Sequence, residues 1–246
     1  SPPMKRFAII AIIAAALLSA SAGQARPKQL PVEKPNLEMI EDSVLDPTSR
    51  FYFPRLQERF EANDTVMTPL EYRYFYLGYM FQEDYDPYRI SQFNDSTEAL
   101  INKPGDITKH DAEKIISFSE KALWDNPLDL RQMSFLIHFL RQKGKPIRAK
   151  FWEYRLQNLL NSILSTGTGL DADNAWYVVY PMHEYDLLQL LGYEPIEAEY
   201  PADGMDRLKV KPLKDARRFN GEIPGAFYFN VKIPQEEYIR KHPGEE

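Results

Sequence analysis

The stretch that decides the fold runs from residue 111 to residue 164. It reads DAEKIISFSEKALW (111–124), DNP (125–127), LDLRQMSFLIHFLRQK (128–143) and GKPIRAKFWEYRLQNLLNSIL (144–164). Ile115, Ile116, Ser119, Ala122 and Leu123 recur at the helical period, which predicts a helix over 111–124. Asn126-Pro127 stops it, because proline disfavours helical backbone in the residue before it. A second helix follows over 129–143, and Gly144-Lys145-Pro146 makes the turn. Pro146 opens a third helix, since the first helical position has no hydrogen bond to lose. That helix reaches 164, with Trp152, Leu156, Leu159, Leu160 and Ile163 as its inner stripe.

Working outward, Thr68-Pro69-Leu70-Glu71 is a complete helix start: threonine caps, proline takes the first position, and Glu71 reaches back to close a capping box. The helix it opens runs to 81, and shorter ones are expected over 36–44, 51–61 and 95–102. Beyond 164 the pattern changes. Gly167-Thr168-Gly169 reads as a flexible joint. Segments 176–180, 196–200, 205–210 and 226–233 have strand composition, with Pro201-Ala202-Asp203-Gly204 as a hairpin turn. A helix over 183–191, closed by Gly192, interrupts them. Helices first and strands after predict an α+β fold: helix-rich hairpins, then a small, mostly antiparallel sheet with one inserted helix. Segments 176–180, 205–210 and 226–233 should share one sheet packed on the helical layer. The reading is a single α+β domain over 36–246, helical over 36–166 and strand-containing over 167–246.

The chain has 246 residues with 43% hydrophobic and 13% aromatic content, enough for a substantial core. Lys5 and Arg6, an apolar run over 7–18 and the small residues Ala20-Ser21-Ala22 make 1–22 a signal peptide, with a second cleavage option after Ala25. A polar, proline-containing tether is expected over 23–35. Cleavage removes two cations and takes the formal charge from −6 to −8, a poor balance for nucleic acid. There is no cysteine, hence no lipid-modified cysteine, thiol catalysis or thiolate metal site. No second apolar run approaches membrane-spanning length, so the expected address is the periplasm or the exterior.

His183-Glu184, with Asp186 nearby, is the most catalytic-looking cluster, and a general acid/base role in a hydrolase is one reading. The other is ordinary acids at a helix start. A zinc-protease reading fails because Leu187 stands where a second histidine is needed. Asp171-Ala172-Asp173-Asn174 begins like a calcium loop, but Trp176 occupies the glycine position. The four histidines have no metal-ligand spacing, so neither metal nor cofactor is expected.

The segment after Pro127 resembles a tetratricopeptide repeat: Gly144 falls on the inter-helix glycine, Ala149 on the small residue where the helices touch, and Met133, Leu136 and Leu140 on large apolar positions. The resemblance covers about one repeat, and Glu153 departs from it by standing where a large apolar residue is usual. It implies that Arg131, Ser134, His138, Arg141 and Gln142 face a groove, and their helical spacing independently makes them neighbours. Such a basic stripe suits an anionic peptide or glycan; a solvated helix face with its arginines paired to acids is the alternative. Larger pieces, among them Phe51-Tyr52-Phe53-Pro54, Glu71-Tyr72-Arg73-Tyr74-Phe75-Tyr76-Leu77-Gly78-Tyr79, Tyr85-Asp86-Pro87-Tyr88 and His183-Glu184-Tyr185-Asp186-Leu187-Leu188, resemble a domain-of-unknown-function family of secreted proteins from Gram-negative, gut-type bacteria. That resemblance implies secretion and a single domain and assigns no activity. The expectation is a secreted or periplasmic protein that binds a protein or glycan partner, with a hydrolase built on the His183 region as the alternative.

Overall fold

The computed structural model describes residues 9–10 and 29–245. The signal peptide expected over 1–22 and the first part of the tether lie outside the described residues, Ile9 and Ile10 excepted. In chain order the elements are α1 (Leu37–Leu45), α2 (Phe53–Glu61), α3 (Pro69–Gly78) with a 3-10 turn (Tyr79–Phe81), α4 (Asn94–Asn102), α5 (Lys109–Asp125), α6 (Leu130–Gln142), α7 (Pro146–Leu164), β1 (Trp176–Tyr177), α8 (Met182–Leu190), β2 (Tyr193–Ala202), β3 (Met205–Pro212), β4 (Ala226–Asn230) and α9 (Lys232–Lys241). The fold is α+β, with α5, α6 and α7 packed in succession as the sequence predicts.

Local signals fix most helix starts. Thr68 accepts from the Glu71 N–H while the Glu71 carboxylate accepts from the Thr68 N–H, and Thr108 with Asp111 repeats that box at α5. Two buried arginines then tie helix ends together. Arg155 donates to the carbonyls of Phe60 and Glu61, the last residues of α2, at 2.9 Å each. Its guanidinium also lies over the rings of Phe60 and Phe151, 4.6 and 4.5 Å from their centroids. Arg73 donates to the Ser165 carbonyl, just past α7, and to the Glu33 carbonyl, so that part of the expected tether is held against the domain. A cation at a helix C-terminus satisfies carbonyls that have no partner in the helix and meets the negative end of its dipole.

The four strands form one sheet in the order β1-β4-β3-β2; β1 runs parallel to β4 and the other two pairings are antiparallel. Its inner face carries Leu208, Val210, Phe227 and Phe229, all buried against the helical layer, with Trp176 stacked on Phe227 at 5.2 Å. Three expectations need adjustment. The strand expected over 176–180 ends at Tyr177, because tyrosine hydroxyls replace a neighbouring strand: Tyr76 Oη accepts from the Val179 N–H, and Tyr85 Oη donates to the Val179 carbonyl. The strand expected over 226–233 stops at Asn230 and α9 begins, with Pro234 in its first turn. The Gly167–Gly169 segment is not a loose joint. A side chain on Gly167 would collide with the Asn174 carbonyl, and Gly169 takes φ +72° with its face against the Trp176 ring.

Candidate functional site

The α6 stripe is tied into the fold. Arg131 grips Asp186 Oδ1 through Nε at 3.0 Å and Nη2 at 2.9 Å, and reaches Glu98 at 3.3 Å. Asp186 is only 2% exposed, so this is a desolvated charge pair. Arg141 is bidentate on Glu153 of α7, with Nε at 2.8 Å and Nη2 at 2.6 Å. Glu153, the residue at odds with the expected repeat spacing, is thus an ion-pair partner. Ser134 is buried and donates to the Leu130 carbonyl one turn back. His138 is half-buried edge-on to Phe139, and burial, followed by the Arg141 charge, lowers its pKa. Gln142 is exposed. Both arginines of the stripe therefore already hold carboxylates.

His183, Glu184 and Asp186 are all buried in α8, and each faces a different partner. His183 Nδ1 lies 2.7 Å from Tyr76 Oη, and Nε2 lies 2.8 Å from the Leu128 carbonyl. The carbonyl accepts only, so Nε2 carries the proton and Nδ1 accepts from Tyr76, whose oxygen in turn accepts from Val179. Burial lowers the imidazole pKa to about 4. Neither ring nitrogen is left for a substrate. Asp186 is taken by Arg131, and the nearby Asp129 carboxyl, the N-cap of α6, is pushed up by burial and by the Asp186 charge. Glu184 turns instead to the sheet and shares a side-chain hydrogen bond with Asp206 of β3. Two carboxyls bond only if one is protonated. Burial and the Asp206 charge push Glu184 well up, so it donates and Asp206 accepts. The three residues thus pin α8 between the helical layer and the sheet. Spacing did not single out Asp206; its signal was the alternation Asp206, Leu208, Val210, which puts an acid on the core face of a strand.

The outer face of the sheet carries an open concavity of about 420 Å³, lined by Leu170, Ile196, Arg207, Lys209, Pro224, Gly225, Ala226 and Tyr228. Its ionised lining groups are the two cations. Arg207 lies over the Tyr228 ring, 5.6 Å from the centroid. Both cations are held from the side by the edge strand β2: Arg207 pairs with Glu199, and Lys209 pairs with Glu197 and Glu199 at 2.9 Å each. Gly225 faces open space, so it leaves the floor unfilled. The sequence carried this face as Arg207, Lys209 and Lys211 alternating outward on β3.

Among the described residues there is no group of three or more metal-ligating side chains placed to hold an ion, and no helix is long and apolar enough to cross a membrane. No curated protein and no solved structure matches the chain. A family model described as domain of unknown function DUF4919 matches residues 38–240, and the chain belongs to that family.

Proposed function

We propose that this is an exported binding protein without catalysis, and that its ligand is a peptide segment with carboxylates beside aliphatic side chains. The carrying observation is the outer-face concavity, where Arg207 and Lys209 stand beside apolar walls of Leu170, Ile196 and Pro224. Its volume is in the range of about 300–1,000 Å³ common to ligand sites. An incoming carboxylate has only to displace Glu197 or Glu199 from solvent-screened ion pairs, which hold weakly. By contrast, releasing Arg131 would strand Asp186 in the interior, so the geometry favours the sheet over the Arg131, Ser134, His138, Arg141 and Gln142 stripe. The apolar walls favour peptide over glycan, which needs more hydrogen-bonding groups. The peptide does not add as a fifth strand. The Val210 N–H bonds Gly225 across the sheet, so the paired Pro195 turns its nitrogen to the free edge, where it has no donor to offer. The tetratricopeptide-like hairpins serve as the rigid support of this face, and the segment over 7–18 serves as the export signal.

The test is titration of the full chain with a peptide of alternating glutamate and leucine. Arg207→Ala with Lys209→Ala should weaken binding at least tenfold, about 1.4 kcal/mol, while Arg141→Ala leaves it unchanged. Loss of binding in Arg141→Ala alone would move the site to the helical stripe. An anionic oligosaccharide outcompeting the peptide would replace the ligand class. The hydrolase alternative on His183, Glu184 and Asp186 finds no free base or nucleophile to support it.

A further inference from the structure

The connection from β3 to β4 concentrates positive charge on an acidic chain. Over residues 211–218 it reads KPLKDARR: Lys211, Lys214, Arg217 and Arg218 against the single acid Asp215, a net +3 where the whole chain carries −6. The neighbouring acids are Glu194, opposite Lys211 on β2, and Glu222, opposite Phe219. Among the described residues none of the four cations forms an ion pair, and Lys211, Lys214 and Arg218 are exposed. The backbone holds the segment still. The Arg217 N–H donates to the Leu191 carbonyl and the Leu213 N–H to the Gly192 carbonyl, both at 2.8 Å, so amides rather than cationic side chains take up the carbonyls just past α8. The Tyr193 hydroxyl donates to the Arg217 carbonyl at 2.6 Å. Phe219 packs on Phe227 at 5.2 Å and closes a small hairpin with Glu222 through Asn220-Gly221, both at positive φ. Arg218 donates to the Gly221 carbonyl at 3.0 Å. Arg217 is half-buried over the Phe219 ring, 5.5 Å from the centroid, and its guanidinium has no hydrogen-bond acceptor among the described residues. Ile223, just beyond the hairpin, is 36% exposed.

We propose that the β3–β4 connection docks this chain on an anionic bilayer, with Lys211, Lys214, Arg217 and Arg218 against the headgroup phosphates. A bilayer offers a plane of phosphates, so it asks for cations on a fixed, exposed segment and not for a closed pocket. Arginine's fork suits phosphate oxygens, and Arg217, a partly desolvated cation with no acceptor in the fold, gains one there. The chain as a whole is acidic, so an anionic surface repels it elsewhere and charge turns this connection toward the lipid. Ile223 beside the cations favours lipid over a soluble polyanion, since an aliphatic side chain gains by leaving water at the headgroup boundary. The contact is peripheral and needs no membrane-spanning helix. It is separate from the outer-face concavity and stands whether or not that one binds a peptide. Each basic residue near the surface is worth about fivefold in partitioning at low salt.

The experiment is co-sedimentation of the full chain with vesicles of phosphatidylcholine alone and of equal parts phosphatidylglycerol and phosphatidylcholine, at low and high salt. The apolar run over 7–18 is present in every sample, so the connection is read from paired variants. The expected result is binding to the anionic vesicles well above binding to the neutral ones, suppressed by high salt. Lys214→Ala with Arg218→Ala should weaken it by about 25-fold. Lys145→Ala with Lys150→Ala, which removes two exposed cations at the start of α7, should leave it unchanged. Arg218→Lys keeps the charge without the arginine fork that bonds Gly221, and should bind as the wild type does. Neutral vesicles bound as tightly as anionic ones, or equal losses in the two double variants, would overturn the proposal. So would displacement from the vesicles by polyglutamate at matched charge, which would assign the connection to an acidic protein instead.

Discussion

At the scale of single residues, the polar groups of α8 are governed by what burial does to charge. His183 is held neutral between a hydroxyl and a carbonyl, and its pKa falls from 6.5 to about 4. The unfolded chain takes up a proton below pH 6.5 that the native imidazole refuses until about pH 4. This group's contribution is therefore present above 6.5 and lost as pH falls through that window, up to about 3 kcal/mol at one pKa unit per 1.36 kcal/mol. Ring-nitrogen NMR should show the Nε2–H form of His183 persisting to about pH 4; half-titration near 6.5 would mean the imidazole is accessible. Arg131 illustrates the opposite case, a buried charge that Asp186 and Glu98 hold against desolvation. Arg131→Ala leaves the Asp186 carboxylate uncompensated and should cost about 3–5 kcal/mol in urea unfolding. Lys143→Ala, which breaks a solvent-screened pair with Glu113, should cost far less. Equal losses would show that Asp186 is solvated.

At the scale of elements, caps and breakers did most of the specifying. The helix predicted from Pro146 to 164 is α7, because proline starts it and an unbroken apolar stripe sustains it. α3 is set by Thr68 and Glu71, and Thr68→Ala should lower stability by about 1 kcal/mol, read as a shift in denaturant midpoint at unchanged slope. A loss near zero would mean the cap is replaced by water. Other elements were less legible for definite reasons. Ala226 to Ile233 reads as one aromatic and branched strand, yet Pro234 lies in the first turn of α9, so the residue that looks like a strand breaker is part of a helix start. β1 is cut short by hydroxyls of Tyr76 and Tyr85, which lie about a hundred residues away in the chain. Such contacts leave no local trace. The Glu184–Asp206 pair and the Arg131–Asp186 pair join distant segments in the same way, so spacing located α8 and its acids but not the groups they meet.

At the scale of the whole molecule, a helical layer supports a small sheet whose inner face is apolar apart from Asp206 and whose outer face is charged and hollowed. Buried polar groups such as His183 and Asp186 hold α8 against the helical layer, and the proposed site lies on the outer face of the sheet. The central claim is that the outer-face concavity takes an acidic, partly aliphatic peptide. Gly225 offers a direct handle, since a side chain there meets open space and none of the folded chain. The decisive measurement is an amide NMR titration with the alternating glutamate–leucine peptide, on the wild-type chain and on Gly225→Leu. The account predicts shifts confined to Ile196, Arg207, Lys209, Gly225 and Tyr228, lost in Gly225→Leu while its thermal midpoint stays within about 2 °C of wild type, as expected for a change below about 0.5 kcal/mol. Shifts centred on Arg131, His138 and Arg141, or shifts that survive in Gly225→Leu, would contradict it.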